Sequence, residues 1–182
     1  MKLKLFSILF SFGVLNAVRS AEEPALNAHL LVFRPLLEKT WQGTFANSTP
    51  DKPIIDVQKW ERTLNGQAVR VLHSINQGVY GGETVFIWDD QRKSVVYYYF
   101  TTEGFMTTGT LRVDSGKFIT HEDVRGDANG VTEVRATCDL LPDGRFHVKA
   151  ENFKGGCGHS LNNSQPIWAW KNPFVISYGS SS

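Results

Sequence analysis

The chain lacks any marked excess of charge: 19 basic side chains stand against 18 acidic ones in 182 residues, a formal net charge of +1. That balance excludes a dedicated nucleic-acid binder, which carries a basic surplus. Long hydrophobic runs are missing too. The longest, Leu5–Val18, spans about fourteen residues, short of the roughly 18–20 that a membrane helix needs. Cysteine is scarce, with only Cys138 and Cys157. Joined by His159 they make an irregularly spaced set of soft ligands, and no metal site is expected from them. There is no nucleophile elbow, no phosphate-binding glycine loop, no HExxH and no internal repeat, so no catalytic residue is assigned. Hydrophobic residues at 41% are enough for a real core, which excludes wholesale disorder, and the length suits one domain.

What is present begins with an address label. Lys2 and Lys4 precede the apolar run, and Val18 and Ser20 are small enough for the −3 and −1 positions of a signal-peptidase site. Residues 1–20 are therefore read as a signal peptide, and the protein as secreted or periplasmic. Cleavage would remove Lys2, Lys4 and Arg19 but no acid, taking the net charge from +1 to −2. A mildly acidic exported chain has no electrostatic reason to seek nucleic acid or an anionic membrane. An oxidising compartment favours a Cys138–Cys157 disulfide, worth on the order of 3 kcal/mol on the chain-entropy model. Asn47-Ser48-Thr49 and Asn162-Asn163-Ser164 match the glycosylation acceptor pattern.

Residues 21–40 read as an N-terminal helix and lid. Leu26, Leu30, Phe33 and Leu37 recur at helical spacing, and Pro35 opens a second short turn. From Trp41 the text changes to short runs rich in Val, Ile, Thr and aromatics. Strands are expected near Trp41–Ala46, Ile55–Leu64, Ala68–Asn76, Glu83–Asp89, Ser94–Thr102, Met106–Val113, Lys117–Val124, Val131–Leu140 and Arg145–Phe153. A last strand is expected at Phe174–Tyr178, within a C-terminal segment 154–182. Asn65-Gly66 suits a type I′ hairpin, and Asp89–Arg92, Asp114-Ser115-Gly116, Asn129-Gly130 and Pro142-Asp143-Gly144 mark further reversals. Gly81-Gly82 reads as a turn. Connections this short cannot hold a crossover helix, so the strands run antiparallel in a meander. Closure removes the edges of so long a meander. The expected fold is all-β: an antiparallel up-and-down β-barrel of roughly eight to ten strands, spanning 41–153, with a short N-terminal helix.

Strand alternation sorts the candidate interior. Val69, Val71, His73 and Ile75 share one face; Tyr97 and Tyr99 oppose Tyr98 and Phe100; Phe86 and Trp88 oppose Val85 and Ile87. Aromatics on both faces of Ser94–Thr102 suggest a strand covered on both sides. His73, Glu83, Trp88, Tyr97, Tyr99 and Arg135 form the expected ligand-binding set. In His121-Glu122-Asp123 the first and third residues share a face and the second points away; an exposed polar strand accounts for that pair.

Leu36-Leu37-Glu38-Lys39-Thr40-Trp41-Gln42-Gly43-Thr44 leads from a short helix into a Trp-x-Gly first strand. Trp60-Glu61-Arg62, the Asn65-Gly66 hairpin and Glu83-Thr84-Val85-Phe86-Ile87-Trp88-Asp89 follow in order. This order resembles the calycin-type barrels related to lipocalins and fatty-acid-binding proteins, and within them the nitrobindin-like group and secreted proteins similar to it. The resemblance implies a closed barrel with a cavity for a hydrophobic small molecule. In nitrobindin-like members it also implies an axial histidine for haem late in the barrel. His147 is the candidate by position, but its surroundings do not match that motif. Lys39 stands where a glycine is usual, and haem is not expected.

The functional expectation is an exported barrel that binds a small hydrophobic ligand without transforming it. Two alternatives stand beside it. One is an enzyme drawing on His73, Glu83, Tyr97, Tyr99 and Arg135 in the same cavity. The other is an interaction module using the Ile167–Trp170 patch.

Overall fold

The computed structural model describes residues 24–126 and 128–155, together with the backbone of 160–171. The expected signal segment, Cys157 and Phe174–Tyr178 lie outside the described residues. Ten strands follow one another: β1 (Lys39–Thr44), β2 (Ile55–Thr63), β3 (Ala68–Ile75), β4 (Tyr80–Asp89), β5 (Ser94–Thr101), β6 (Met106–Asp114), β7 (Lys117–Arg125), β8 (Val131–Leu140), β9 (Phe146–Lys154) and β10 (Ser160–Lys171). Each pairs antiparallel with the next. β10 returns to pair with β1 through Gln42–Lys171, Gly43–Trp170 and Thr44–Ala169, closing an up-and-down barrel. The closing strand is the stretch that carries Ile167–Trp170, within the C-terminal segment 154–182. That stretch is part of the sheet rather than a free tail.

Two turns show how local sequence sets the hairpins. Ser115 and Gly116, both at positive φ (50° and 78°), join Asp114 to its partner Lys117 in the expected two-residue reversal. The Asn65-Gly66 turn is longer than expected, because Thr63 pairs with Ala68 and leaves four residues between them. Leu64, Asn65 and Gly66 all take positive φ. The longer loop receives the N-terminal segment: the Asn27 amide donates to the Gly66 carbonyl at 2.9 Å. A methyl group at Gly66 would lie 2.2 Å from the Ala25 carbonyl oxygen.

That segment plugs one end of the barrel. The expected helix is a short 3-10 helix, Ala28–Phe33, capped by the Asn27 side chain, which accepts from the His29 amide at 3.0 Å. Its apolar face is the one read from the sequence. Leu30 and Phe33 are fully buried and Leu36 and Leu37 nearly so, each burial contributing about 1.5–3 kcal/mol. The Phe33 ring packs against Phe86 at 4.8 Å, Phe118 at 5.5 Å and Trp60 at 5.9 Å between centroids. Trp41 donates its indole N–H to the Leu36 carbonyl at 3.0 Å and fastens β1 to the plug. Outside the barrel, Tyr98 and Phe100 are 44% and 49% exposed. The expectation that β5 is covered on both faces therefore holds on the outer side only at Val96, which is 6% exposed, and fails at Tyr98 and Phe100.

Removing the Phe33 ring (Phe33→Ala) is expected to cost about 3–5 kcal/mol in urea unfolding. Gly66→Ala should cost more than about 1 kcal/mol, since both the left-handed backbone and the Ala25 carbonyl oppose the added methyl. An unchanged midpoint for Gly66→Ala would mean that the N-terminal segment is not seated on this turn.

Candidate functional site

Above the plug the barrel encloses a cavity of about 860 Å3. Its floor is aromatic: Phe33, Trp60, Phe86, Phe118 and Phe146. The wall of β8 and β9 is cut from small apolar side chains, Val134, Ala136, Val148 and Ala150, which leaves the lumen open. Glu103, Phe105, Ala128 and Asn129 line the rim farthest from the plug.

Two glycines shape the opposite wall. A methyl at Gly109 would meet the Tyr97 ring at 2.5 Å, and one at Gly82 would meet the Tyr99 ring at 2.4 Å. Each tyrosine lies in the notch left by a missing side chain on a neighbouring strand. Gly81-Gly82 is therefore not the expected turn but part of β4, where Gly82 makes room for Tyr99.

A hydrogen-bonded chain crosses β2, β3, β4 and β5. His73 Nδ1 stands 3.3 Å from both carboxylate oxygens of Asp56, and His73 Nε2 stands 2.7 Å from Tyr99 Oη. Tyr99 Oη in turn lies 2.7 Å from Tyr80 Oη. Below them, Trp60 Nε1 donates to Gln58 Oε1 at 3.0 Å, and Gln58 Nε2 approaches Asp56 Oδ2 at 3.4 Å. With Nδ1–H donated to the buried Asp56, Nε2 is left to accept from the Tyr99 hydroxyl. Burial drives the Tyr99 pKa far above its ordinary value and raises that of Tyr80, so both phenols hold their protons at neutral pH.

A second polar group stands on β5, β6 and β7. The register aligns Tyr97 with Gly109 and Gly109 with Glu122, so the phenol reaches over the glycine toward the carboxylate. Glu122 accepts from Thr107 Oγ1 at 2.8 Å. Burial pushes the Glu122 pKa up, and the contacts from Thr107 and Tyr97 oppose the shift. Tyr97 Oη and Thr120 Oγ1 are buried and make no hydrogen bond of good geometry, Tyr97 standing in weaker contact with Thr120 and Glu122. Nearby on β8, the Cys138 thiol also lines the cavity, and burial pushes its pKa up to about 12. It has no disulfide partner among the described residues, and its expected partner Cys157 lies outside them.

The structure divides the expected ligand-binding set. His73, Tyr97 and Tyr99 line the cavity. Trp88 faces the same side but sits at the plug, stacked on His29 at 3.7 Å between ring centroids. Glu83 and Arg135 are corrected to the outer face, because they alternate with Thr84 and with Val134 and Ala136, which point in. Arg135 pairs there with Glu133 and covers the Phe153 ring at 4.6 Å. His147 alternates with Phe146 and Val148 and so faces outward as well. His121 is 51% exposed and pairs with Glu133 at 3.1 Å, on the outer face it shares with Asp123. Among the described residues no three His, Cys, Asp or Glu side chains group as metal ligands.

Sequence reasoning missed Asp56, Tyr80 and Glu122. Glu122 was recoverable: once His121 and Asp123 face out, the residue between them must face in. Asp56 follows from the same parity, two residues before Gln58 and four before the inward Trp60. No protein-family model matches the chain, and a search of curated proteins finds no relative.

Glu122 provides a pH test. Its folded pKa is raised, so its contribution to stability is complete below the ordinary glutamate range and is lost as pH rises through the folded value. Glu122→Gln should therefore match wild type in urea unfolding near pH 4 and exceed it increasingly toward pH 8. A gap independent of pH would refute the desolvation of this carboxyl.

Proposed function

We propose that this is an exported calycin-type barrel that binds a small, mostly apolar molecule in its interior and does not transform it. One observation carries the reading: a cavity of about 860 Å3 with an aromatic floor and a small number of convergent polar groups. That volume falls in the range of known small-molecule sites, roughly 300–1,000 Å3, and the mixture of an apolar lining with few polar anchors is what such sites share. Among the described residues the lining aromatics stand on the floor, in the notches over Gly82 and Gly109, beside Tyr99 at Tyr80 and on the rim at Phe105, and they leave the space between them open. The calycin-type assignment draws support from the meander closed at one end, where the Trp-x-Gly of β1 puts Trp41 in the buried core beside the plug. Export draws its support from the charge and apolar pattern of residues 1–20. No helix among the described residues is long and apolar enough to cross a membrane.

The enzyme reading keeps one favourable observation, the 2.7 Å contact between His73 and Tyr99. Both ring nitrogens of His73 are engaged, however, one by Asp56 and one by Tyr99. A general base needs a free lone pair within reach of its substrate. Two of the five groups expected to converge, Glu83 and Arg135, stand outside the lumen. The chain from Asp56 to Tyr80 serves instead as a fixed polar wall that orients a ligand.

Native mass spectrometry of protein purified from its own host is expected to show a non-covalent small-molecule adduct. In solution a neutral apolar fluorophore, N-phenyl-1-naphthylamine, should bind with enhanced emission. Ala136→Phe, which projects a ring from β8 into the lumen, should weaken that binding by at least about tenfold and leave the melting temperature nearly unchanged. Undiminished binding to a folded Ala136→Phe would place the fluorophore elsewhere and sink the proposal.

A further inference from the structure

We infer that the occupant carries a protonated amine, with its ammonium held by Glu122, Tyr97 and Thr120 and its apolar body on the aromatic floor. The inference rests on the ligand-binding reading above and names the ligand's chemical class. Its first support is the charge of the lining. Asp56, Glu103 and Glu122 line the cavity, and among the described lining residues there is no lysine or arginine. The lining histidine, His73, has both nitrogens occupied. An anionic ligand would enter a chamber with acids on two walls and no lysine or arginine among the described lining residues to receive it.

The second support is independent of charge. Tyr97 and Thr120 are 3% and 8% exposed, and their hydroxyl oxygens make no hydrogen bond of good geometry, although Tyr97 stands near enough to Thr120 and Glu122 to interact with both. Buried polar atoms are nearly always well satisfied, and a pair in a cavity wall held only by such weak contacts has room for a partner from outside the chain. Glu122 stands beside them, hydrogen-bonded by Thr107 at 2.8 Å and in weaker contact with Tyr97. An ammonium brings three N–H donors and one positive charge. The carboxylate and two hydroxyl oxygens supply three acceptors and one negative charge. An alcohol could satisfy one hydroxyl but would leave the carboxylate without a counter-charge.

Geometry selects Glu122 from the three acids. Asp56 is committed to His73 and Gln58. Glu103 is exposed at the rim. Glu122 stands midway along β7, between Thr120 on the floor side and Val124 toward the rim, all three on the lining. A head group there puts a ring or alkyl body of several carbons against Phe86, Phe118 and Phe146, whose negative ring faces also favour a cation.

The test uses the full chain and a matched series with one body and three head groups: 4-phenylbutylamine, 4-phenylbutanol and 4-phenylbutanoate. Each competes with N-phenyl-1-naphthylamine. The amine is expected to compete at least about tenfold more tightly than the alcohol, and the carboxylate most weakly. Glu122→Gln should bring amine and alcohol to within about threefold of each other, with the alcohol unchanged. Tyr97→Phe, which keeps the ring over Gly109, should weaken the amine more than the alcohol and checks the site should Glu122→Gln disturb folding. An amine no tighter than the alcohol, a carboxylate that competes best, or a preference that survives Glu122→Gln overturns the inference. Failure of the fluorophore itself to bind would bring down the ligand-binding reading as well, so the two failures are distinguishable.

Discussion

Closure of the sheet is the constraint from which the chamber follows. Side chains on a strand alternate between two faces, and in an open sheet both faces can find cover. Once β10 pairs with β1 the two faces become unequal. One encloses a limited volume and the other meets solvent. Every strand residue is then assigned to a lumen or to a surface by its parity. Tyr97 and Tyr98 are chemically identical neighbours, yet one is 3% and the other 44% exposed.

Closure alone would leave a tube open at both ends. The N-terminal segment seals one end with Leu30, Phe33 and Leu36, and the loop after β2 holds it through backbone contact at Gly66. The floor is therefore made jointly by the sheet and by residues that precede it. Phe33 meets Trp60 from β2, Phe86 from β4 and Phe118 from β7, so one ring ties three strands together. Cavity and stability are coupled: what excludes water below also provides an apolar seat above.

Within the lumen, polar groups divide by whether the protein satisfies them. Asp56, His73, Tyr99 and Tyr80 complete one another and form a rigid wall. Tyr97, Thr120 and Glu122 do not, and carry the cost of desolvation with few compensating bonds. They are the polar groups of the lumen that the protein satisfies least. Notches at Gly82 and Gly109 hold the tyrosines against the wall and keep the space between the two groups clear.

Much of this was legible in the chain itself. Alternation, turn residues and short connections determined antiparallel strands, their sequence order and the apolar face of the plug, because each depends on residues within a few positions of one another. Even the split between Glu122 and its neighbours His121 and Asp123 is local. Only the tertiary structure decided which side of each strand turned inward, that Asp56 would meet His73 and Tyr99, and that the closing strand would be Ser160–Lys171. Those outcomes depend on pairing between residues far apart, such as Gln42 with Lys171. Local propensity is silent about such pairs, since closing the ring is a property of all ten strands together.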